Sequence, residues 1–178
     1  MQNLEIKCRY PNLRHAERLA AAELQAEFQG EVVQTDSYFE VPGGRLKLRQ
    51  TVGTAEDEAC AELIFYRRPD RSAARISDYH RLPLPDAFAA LAFLRRALRL
   101  KVSVRKRRRI YIKENMRLHL DQVHGLGKFL EFELIVSPEY SRLRCRRQLE
   151  ELMRRFDIVP ETLLADSYSD LLLRRKMA

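Results

Sequence analysis

Residues 44–50 read Gly-Arg-Leu-Lys-Leu-Arg-Gln, so Arg45, Lys47 and Arg49 alternate with Leu46 and Leu48. Successive side chains of a strand point to opposite faces, which makes one face here wholly cationic and the other wholly apolar. A half-buried strand ordinarily turns neutral or mixed polar groups toward water. Cations in a row along a strand repel one another unless something anionic sits opposite them. This stretch therefore asks for a fold in which charged faces meet.

Other segments supply such faces. Residues 3–9, 62–68, 106–108, 117–121 and 131–133 each set an apolar back against an ionic front. Residues 32–41 are rich in β-branched and aromatic types and read as a strand, joined to the Arg-Lys-Arg strand by a Pro42-Gly43-Gly44 turn. Residues 51–61 read as a loop or hairpin tip, 74–79 as a short extended piece, 101–113 as a long strand, and 125–127 as a turn before a strand over 129–136. Helical spacing predicts a helix over 13–28, with Asn12 as N-cap, Ala16, Ala20, Leu24 and Phe28 on one stripe, and Gly30 at its end. A second helix is predicted over 83–100, and a third from Ser137-Pro138 to about Phe156 with Cys145, Leu149, Leu152 and Phe156 buried. A further helical stretch is predicted from Pro160, and a last helix led by residues 167–173.

The chain of 178 residues reads as one domain, 1–178. No apolar run approaches the roughly 18–20 residues that span a bilayer, so no membrane association is expected. The first residues hold no apolar secretory core, and the three cysteines are scattered, which fits a reducing cytoplasm better than a disulfide framework or zinc site. The net charge of +8 asks for an anionic partner: nucleic acid, a membrane surface or a phosphorylated small molecule. The placement of the charges chooses among them.

If amphipathic helices cover the apolar backs from outside, the ionic fronts face one another. The expected fold is α+β: an antiparallel, closed or nearly closed barrel of about eight strands, with flanking helices. An interior of charged side chains has to be hydrated, paired or occupied by a ligand. Its candidate cations are Lys7, Arg9, Arg45, Lys47, Arg49, Arg68, Arg75, Lys106, Arg108 and Arg117; its candidate anions are Glu5, Asp121, Glu131 and Glu133. Excess cations suit a polyanion, and arginine forks match phosphate oxygens. Glu131 and Glu133, two apart on one strand face, repel unless a proton or metal intervenes. Oxygen ligands favour Mg²⁺ or Mn²⁺.

With these pieces in order, the chain resembles the CYTH-domain proteins of the triphosphate tunnel metalloenzymes, on the branch of class IV adenylyl cyclases and thiamine triphosphatases. The resemblance runs from Asn3 to about Leu172. It rests on Asn3-Leu4-Glu5-Ile6-Lys7 against the opening Glu-x-Glu-x-Lys, on Gln34-Thr35-Asp36-Ser37-Tyr38-Phe39, on residues 44–49 and on Tyr66-Arg67-Arg68-Pro69-Asp70. It continues through Arg75-Ile76-Ser77, Lys106-Arg107-Arg108 with Tyr111, His119-Leu120-Asp121-x-Val123, Leu126-Gly127, residues 129–133 and residues 167–172. The resemblance implies that Glu5, Glu131 and Glu133, with Asp121 joining, hold metal. It implies that Lys7, Arg45, Lys47, Arg49, Arg68, Arg75, Lys106 and Arg108 grip phosphates, and that Glu5, Lys7 and Glu133 are catalytic. The implied substrate is ATP or another triphosphate and the implied cofactor Mg²⁺ or Mn²⁺. The implied activity is conversion of ATP to cyclic AMP and pyrophosphate, with a triphosphatase, or a catalytically weak polyphosphate or nucleotide binder, as the alternatives. It leaves room for a homodimer. One departure stands out: Asn3 takes the place of the first glutamate and offers a carbonyl oxygen without charge.

Several residues read as bland. The run over 101–109 has too few aromatics for a nucleic-acid patch, and Arg105, Arg107 and Arg109 read as surface. His15, His80, His119 and His124 lack metal-ligand spacing and read as structural or surface. Ser77 and Ser167 lack the partners of a hydrolase triad. Tyr38, Tyr66 and Tyr111 read as barrel packing.

Overall fold

The computed structural model describes residues 2–53, 60–67, 75–76 and 78–177. Its strands are β1 (Gln2–Arg9), β2 (Glu27–Phe39), β3 (Arg45–Gly53), β4 (Cys60–Arg67), β5 (Arg75–Ile76), β6 (Asp78–Leu84), β7 (Leu100–Lys113), β8 (Met116–Val123) and β9 (Gly127–Val136). They form one antiparallel sheet in the order β5-β1-β9-β8-β7-β2-β3-β4-β6. The two end strands, β5 and β6, are separated by a single residue along the chain. β5 pairs with β1 and β6 pairs with β4, so the two ends of the strongly curled sheet are formed by neighbouring segments of the chain.

The helices are α1 (Leu13–Arg18), continued by a π-helical turn (Leu19–Glu23), then α2 (Ala87–Ala97), α3 (Arg142–Arg155) and α4 (Tyr168–Met177). Ala16, Ala20 and Leu24 from the first helical segment and Cys145, Leu149, Leu152 and Phe156 around α3 cover the outer face of β1, β8 and β9, where Leu4, Ile6, Leu118 and Phe132 are buried. The Phe132 and Phe156 rings meet edge to face, 5.0 Å apart. Each such fully buried apolar side chain stabilises the fold by about 1.5–3 kcal/mol. Leu91, Leu94 and Leu98 cover β3 and β4 at Leu48 and Ala61. α4 is different: Tyr168 and Leu171–Leu173 pack on Val102, Val104, Tyr38 and Phe129, closing one end of the barrel from within.

Three predicted boundaries shift. The helix predicted over 13–28 stops where Gln25 takes a left-handed conformation (φ 53°), and residues 27–30 already belong to β2. Gly30 (φ 136°) then sits at a bulge between β2 and β7 and does not end a helix. The helix predicted over 83–100 is only Ala87–Ala97: Asp86 accepts from the Phe88 and Ala89 amides at 2.8 and 2.9 Å, and Leu84 buries its side chain from β6 instead. The third helix starts at Ser141, whose Oγ accepts from Arg144 N, four residues beyond the predicted Ser137 cap. Residues 51–61 are largely strand at their ends, and Pro160–Thr162 forms a short 3₁₀ turn. At the β2–β3 turn, Gly44 has φ 74°, and a Cβ there would stand 2.8 Å from the Tyr66 carbonyl oxygen, so this position requires glycine.

Candidate functional site

The ionic fronts meet inside the barrel around a cavity of about 320 Å³. Strand register sets its layers. Lys7 lies opposite Glu131, and Glu5 opposite Glu133, between β1 and β9. His119 and Arg117 on β8 face the same two glutamates, while Arg108 on β7 faces Asp121. Gln34 on β2 stands between Lys106 on β7 and Thr51 on β3, with Asp36 beside Arg49 one step closer to α4.

Two buried aspartates organise the cations. Asp36, 3% exposed, accepts from Lys47 Nζ at 2.8 Å, from Arg49 Nε at 2.8 Å and from Arg49 Nη2 at 2.9 Å. Asp121, fully buried, accepts a fork from Arg108 Nε and Nη2 at 2.7 and 2.6 Å, and Tyr168 Oη donates to it at 2.9 Å. Lys106 Nζ lies 3.8 Å from the same carboxylate. Burial works against ionisation of both aspartates, but the cations prevail: Arg49 and Lys47 hold Asp36, and Arg108 and Lys106 hold Asp121, well below the usual carboxylate range. Burial, joined by the neighbouring arginines, pushes Lys106 down to about 7 and Lys47 down to about 8.

The carboxylates at the β1–β9 wall behave differently from one another. Glu131 takes Arg108 Nη2 at 2.8 Å and Lys7 Nζ at 3.7 Å, and those cations hold it ionised despite burial. Glu133 is pushed above the ordinary glutamate value, by burial first and then by Glu131 and Glu5. Asn3 Nδ2 donates to Glu133 Oε1, while Asn3 Oδ1 is buried with no hydrogen-bond partner among the described residues. An unpartnered carbonyl oxygen beside a carboxylate whose charge is poorly compensated fits a hard divalent cation. Among the described residues no three His, Cys, Asp or Glu side chains form a complete metal cluster. The donor set therefore suits an ion that takes one or two carboxylates and completes its shell from phosphate oxygens and water.

Of the residues predicted from sequence, Glu5, Lys7, Lys47, Arg49, Lys106, Arg108, Arg117, Glu131 and Glu133 line the cavity. Asp121 stands behind Arg108 with its oxygens occupied, outside the lining. Arg45 pairs with Asp170 of α4 at 2.9 Å and Arg9 donates to the Leu126 carbonyl at 2.8 Å, both away from the cavity. Arg68 lies outside the described residues. The Arg75 backbone pairs with Glu5, but its side chain also lies outside them. Arg107 and Arg109 face outward, where both meet Glu31.

Sequence reasoning gave no site role to Asp36, Tyr168 or Gln34 and read His119 as structural or surface. His119 lines the cavity, with Nδ1 3.9 Å from Glu131 Oε2; burial and Arg108 hold its imidazole neutral. Tyr38 and Tyr66, read as packing, also line the cavity, whereas Tyr111 packs against Phe28. The Tyr168 ring lies under the ammonium groups of Lys7 and Lys106, at 4.3 and 5.5 Å. Ser167 and Asp170 form a reciprocal cap at the start of α4, each side chain bonded to the other's amide.

Comparison with known proteins places this arrangement. The CYTH domain family matches residues 1–168. In sequence, 68 residues are 32% identical to a Methanocaldococcus jannaschii protein named provisionally as an adenylate cyclase; they make up 38% of this chain and 39% of that one. Among solved structures, the PH1012 protein of Pyrococcus horikoshii superposes with a TM-score of 0.79 at 24% identity, covering 95% of this chain and 98% of its own. HpAC1 of Hippeastrum, provisionally an adenylyl cyclase and described as having a dominant triphosphatase activity, gives 0.67 at 14% identity, covering 98% and 95%. At these identities the structural likenesses speak for the fold. Among the described residues no helix is long and apolar enough to cross a membrane.

Proposed function

Because this chain belongs to the CYTH domain family, we propose that its cavity binds a triphosphate with Mg²⁺ or Mn²⁺, and that the reaction is the conversion of ATP to cyclic AMP and pyrophosphate. The observation that carries the phosphate site is the convergence of Lys7, Lys47, Arg49, Lys106 and Arg108 on one cavity, three of them, Lys47, Arg49 and Arg108, already fixed in direction by buried aspartates. Arginine forks and ammonium groups held in place cost little reorganisation when phosphate oxygens arrive. Asp36 and Asp121 serve in this reading as orienting carboxylates, with Asp121 positioning Arg108 instead of holding metal. Arg45 acts at a distance by tying α4 across the closed end.

Glu5, Glu133 and the Asn3 carbonyl are the groups that would hold the cation, with Glu131 divided between it and Lys7. When bound, a divalent cation withdraws charge from the phosphate oxygens and lowers the cost of generating an attacking oxyanion. In cyclisation the ribose 3′-oxygen forms a bond to the α-phosphorus, the bond from that phosphorus to the bridging oxygen of the β-phosphate breaks, pyrophosphate leaves, and the hydroxyl proton is released. The lining cations stabilise the charge that builds on the leaving pyrophosphate, so catalysis comes from position and electrostatics.

A second reading, hydrolysis of inorganic, thiamine or nucleoside triphosphate, is supported by the description of the Hippeastrum neighbour. A product assay separates the two. The protein is given Mg²⁺ or Mn²⁺ with ATP, and separately with tripolyphosphate, alongside a Glu133→Ala control. Cyclic AMP and pyrophosphate, lost in the control, are expected. Orthophosphate from tripolyphosphate without cyclic AMP from ATP would replace the first reading by the second.

A further inference from the structure

The cavity does not account for the charge of the chain. Counted with Asp121, it holds six carboxylates against seven cationic side chains among the described residues. Most of the net charge of +8 therefore lies elsewhere. Residues 87–113 carry ten lysines and arginines and no acid. In β7 the alternation divides them: Lys106 and Arg108 point into the cavity, while Arg105 and Arg107 are exposed on the outer face. Register extends that outer face across the sheet, from Arg107 to Gln122 on β8 and from Gln122 to Lys128 on β9. Two adjoining depressions meet there. One, of about 480 Å³, lies between Arg105 and Lys128; the other, of about 340 Å³, runs from Arg107 and Lys128 to Arg14 on α1. Glu17 and Glu31 at the far end are taken up by Arg109, and Glu31 also meets Arg107. Among the described residues no carboxylate pairs with Arg14, Arg105 or Lys128.

We infer that this outer groove is a second anion site, separated from the cavity by the sheet itself, and that it holds a single-stranded nucleic acid by its phosphates. Arg105 and Arg107, two apart on one strand face, stand roughly 6.5–6.8 Å from each other along β7, and each step to a neighbouring strand adds roughly 4.8 Å toward Lys128. Cations repeated along a groove suit a ligand whose charge repeats likewise. Phosphate contacts and the counterions they release supply the sequence-independent part of nucleic-acid binding, so the scarcity of aromatic residues in this run bears on base stacking and not on the backbone. Two other partners fit less well. A membrane surface is gripped by exposed apolar side chains as well as by cations, and a folded protein by a central apolar or aromatic anchor. The large apolar side chains exposed among the described residues, such as Phe88 and Phe93 on α2, all lie outside this lining.

The test is fluorescence anisotropy of a labelled 20-nucleotide oligouridylate with the full chain in EDTA. The oligonucleotide carries a 5′-hydroxyl, so it brings no triphosphate to the cavity. Four cations, Arg14, Arg105, Arg107 and Lys128, predict a slope of log K against log salt of about −3. The double substitution Arg105→Gln and Lys128→Gln, at exposed positions, is expected to weaken binding roughly tenfold and to bring the slope to about −1.4. Arg95→Gln with Arg96→Gln removes the same charge from exposed positions of α2 and should leave binding within about twofold. Lys106→Met, on the cavity side of the same strand, should also leave it within about twofold. Absence of wild-type binding at low salt overturns the inference. Equal weakening by the two arginine- and lysine-to-glutamine pairs makes the effect one of net charge and overturns it too, and loss of binding in Lys106→Met places the oligonucleotide in the cavity instead. Pelleting with phosphatidylserine vesicles that the groove pair abolishes, without oligonucleotide binding, would assign the groove to a membrane surface and overturn the nucleic-acid reading.

Discussion

Replacing Asp36 by asparagine isolates the electrostatic frame of the cavity. The carboxylate makes three charge-assisted hydrogen bonds, all between 2.8 and 2.9 Å, to Lys47 and Arg49. The amide keeps the shape and one acceptor oxygen but removes the charge. Lys47 and Arg49 then face each other and Lys106 with no counter-charge between them. Removing one partner of a buried ion pair costs about 3–5 kcal/mol, and the retained acceptor recovers about 1 kcal/mol of it. A net loss of about 3 kcal/mol corresponds, for a chain of this size, to a fall in Tm of roughly 6–12 °C. Thermal unfolding would be followed by circular dichroism with and without saturating tripolyphosphate. The ligand brings back the missing negative charge, so it should raise the Tm of Asp36→Asn by more than it raises that of the wild type. A variant that melts within about 1 °C of the wild type and gains no more from the ligand would refute the idea that Asp36 holds these cations.

Further outcomes follow from the same side chains. Lys106 and Lys47 lie at about 7 and 8 in the folded chain against 10.5 ordinarily, so the folded state binds fewer protons than the unfolded one between those values. Their penalty is full below about pH 7 and relaxes as pH rises toward 10.5, and a bound polyanion reverses it. Tripolyphosphate binding at about pH 8.5 should take up protons, measured as a dependence of the calorimetric heat on buffer ionisation enthalpy; no uptake would contradict the assignment. Phe156→Ala empties a fully buried site against Phe132 and should cost about 3–5 kcal/mol in urea denaturation. Tyr168→Phe deletes the donor to Asp121 and should cost about 1–2 kcal/mol, with faster amide exchange across α4 as the specific sign that the helix has loosened from the barrel.

The barrel was legible because its information is carried by period-two alternation, which survives any uncertainty about element ends. In β7 that phase puts Lys106 and Arg108 inside and Arg107 and Arg109 outside, as the structure has them. Asp36 carries the same signal: it shares a phase with Gln34 and Tyr38, but a single acid in a run of neutral residues draws no attention until its cationic partners are known to lie one strand away. His119 has the phase of Arg117 and Asp121, and asking only whether its spacing suited a metal hid that. Arg45 shows the limit of phase alone. It shares the face of Lys47 and Arg49, yet it sits at the strand end, beyond the cavity, where Asp170 of a distant helix takes it. Helix ends failed where strand and helix compete for one apolar residue: Leu84 fits either period, and the β4 partner decides for strand.

The two aspartates also explain why such a cavity is stable before any ligand binds. Five cations around one cavity would repel at short range in a medium much less polarisable than water. Asp36 absorbs Lys47 and Arg49 from one side, and Asp121 absorbs Arg108 from the other, so the residual strain concentrates on the groups that share a carboxylate. Lys106 is such a group: its 3.8 Å approach to Asp121 competes with the closer Arg108 fork. Burial, with Arg108 beside it, pulls it from 10.5 down to about 7, so the charged form is disfavoured in the empty cavity. An arriving phosphate can relieve that disfavour, so the binding energy of a polyanion is stored in advance at a named side chain. Lys106→Met should then make the ligand-free protein more stable while weakening tripolyphosphate binding. If stability and binding instead fall together, Lys106 is a structural cation and the strain lies elsewhere.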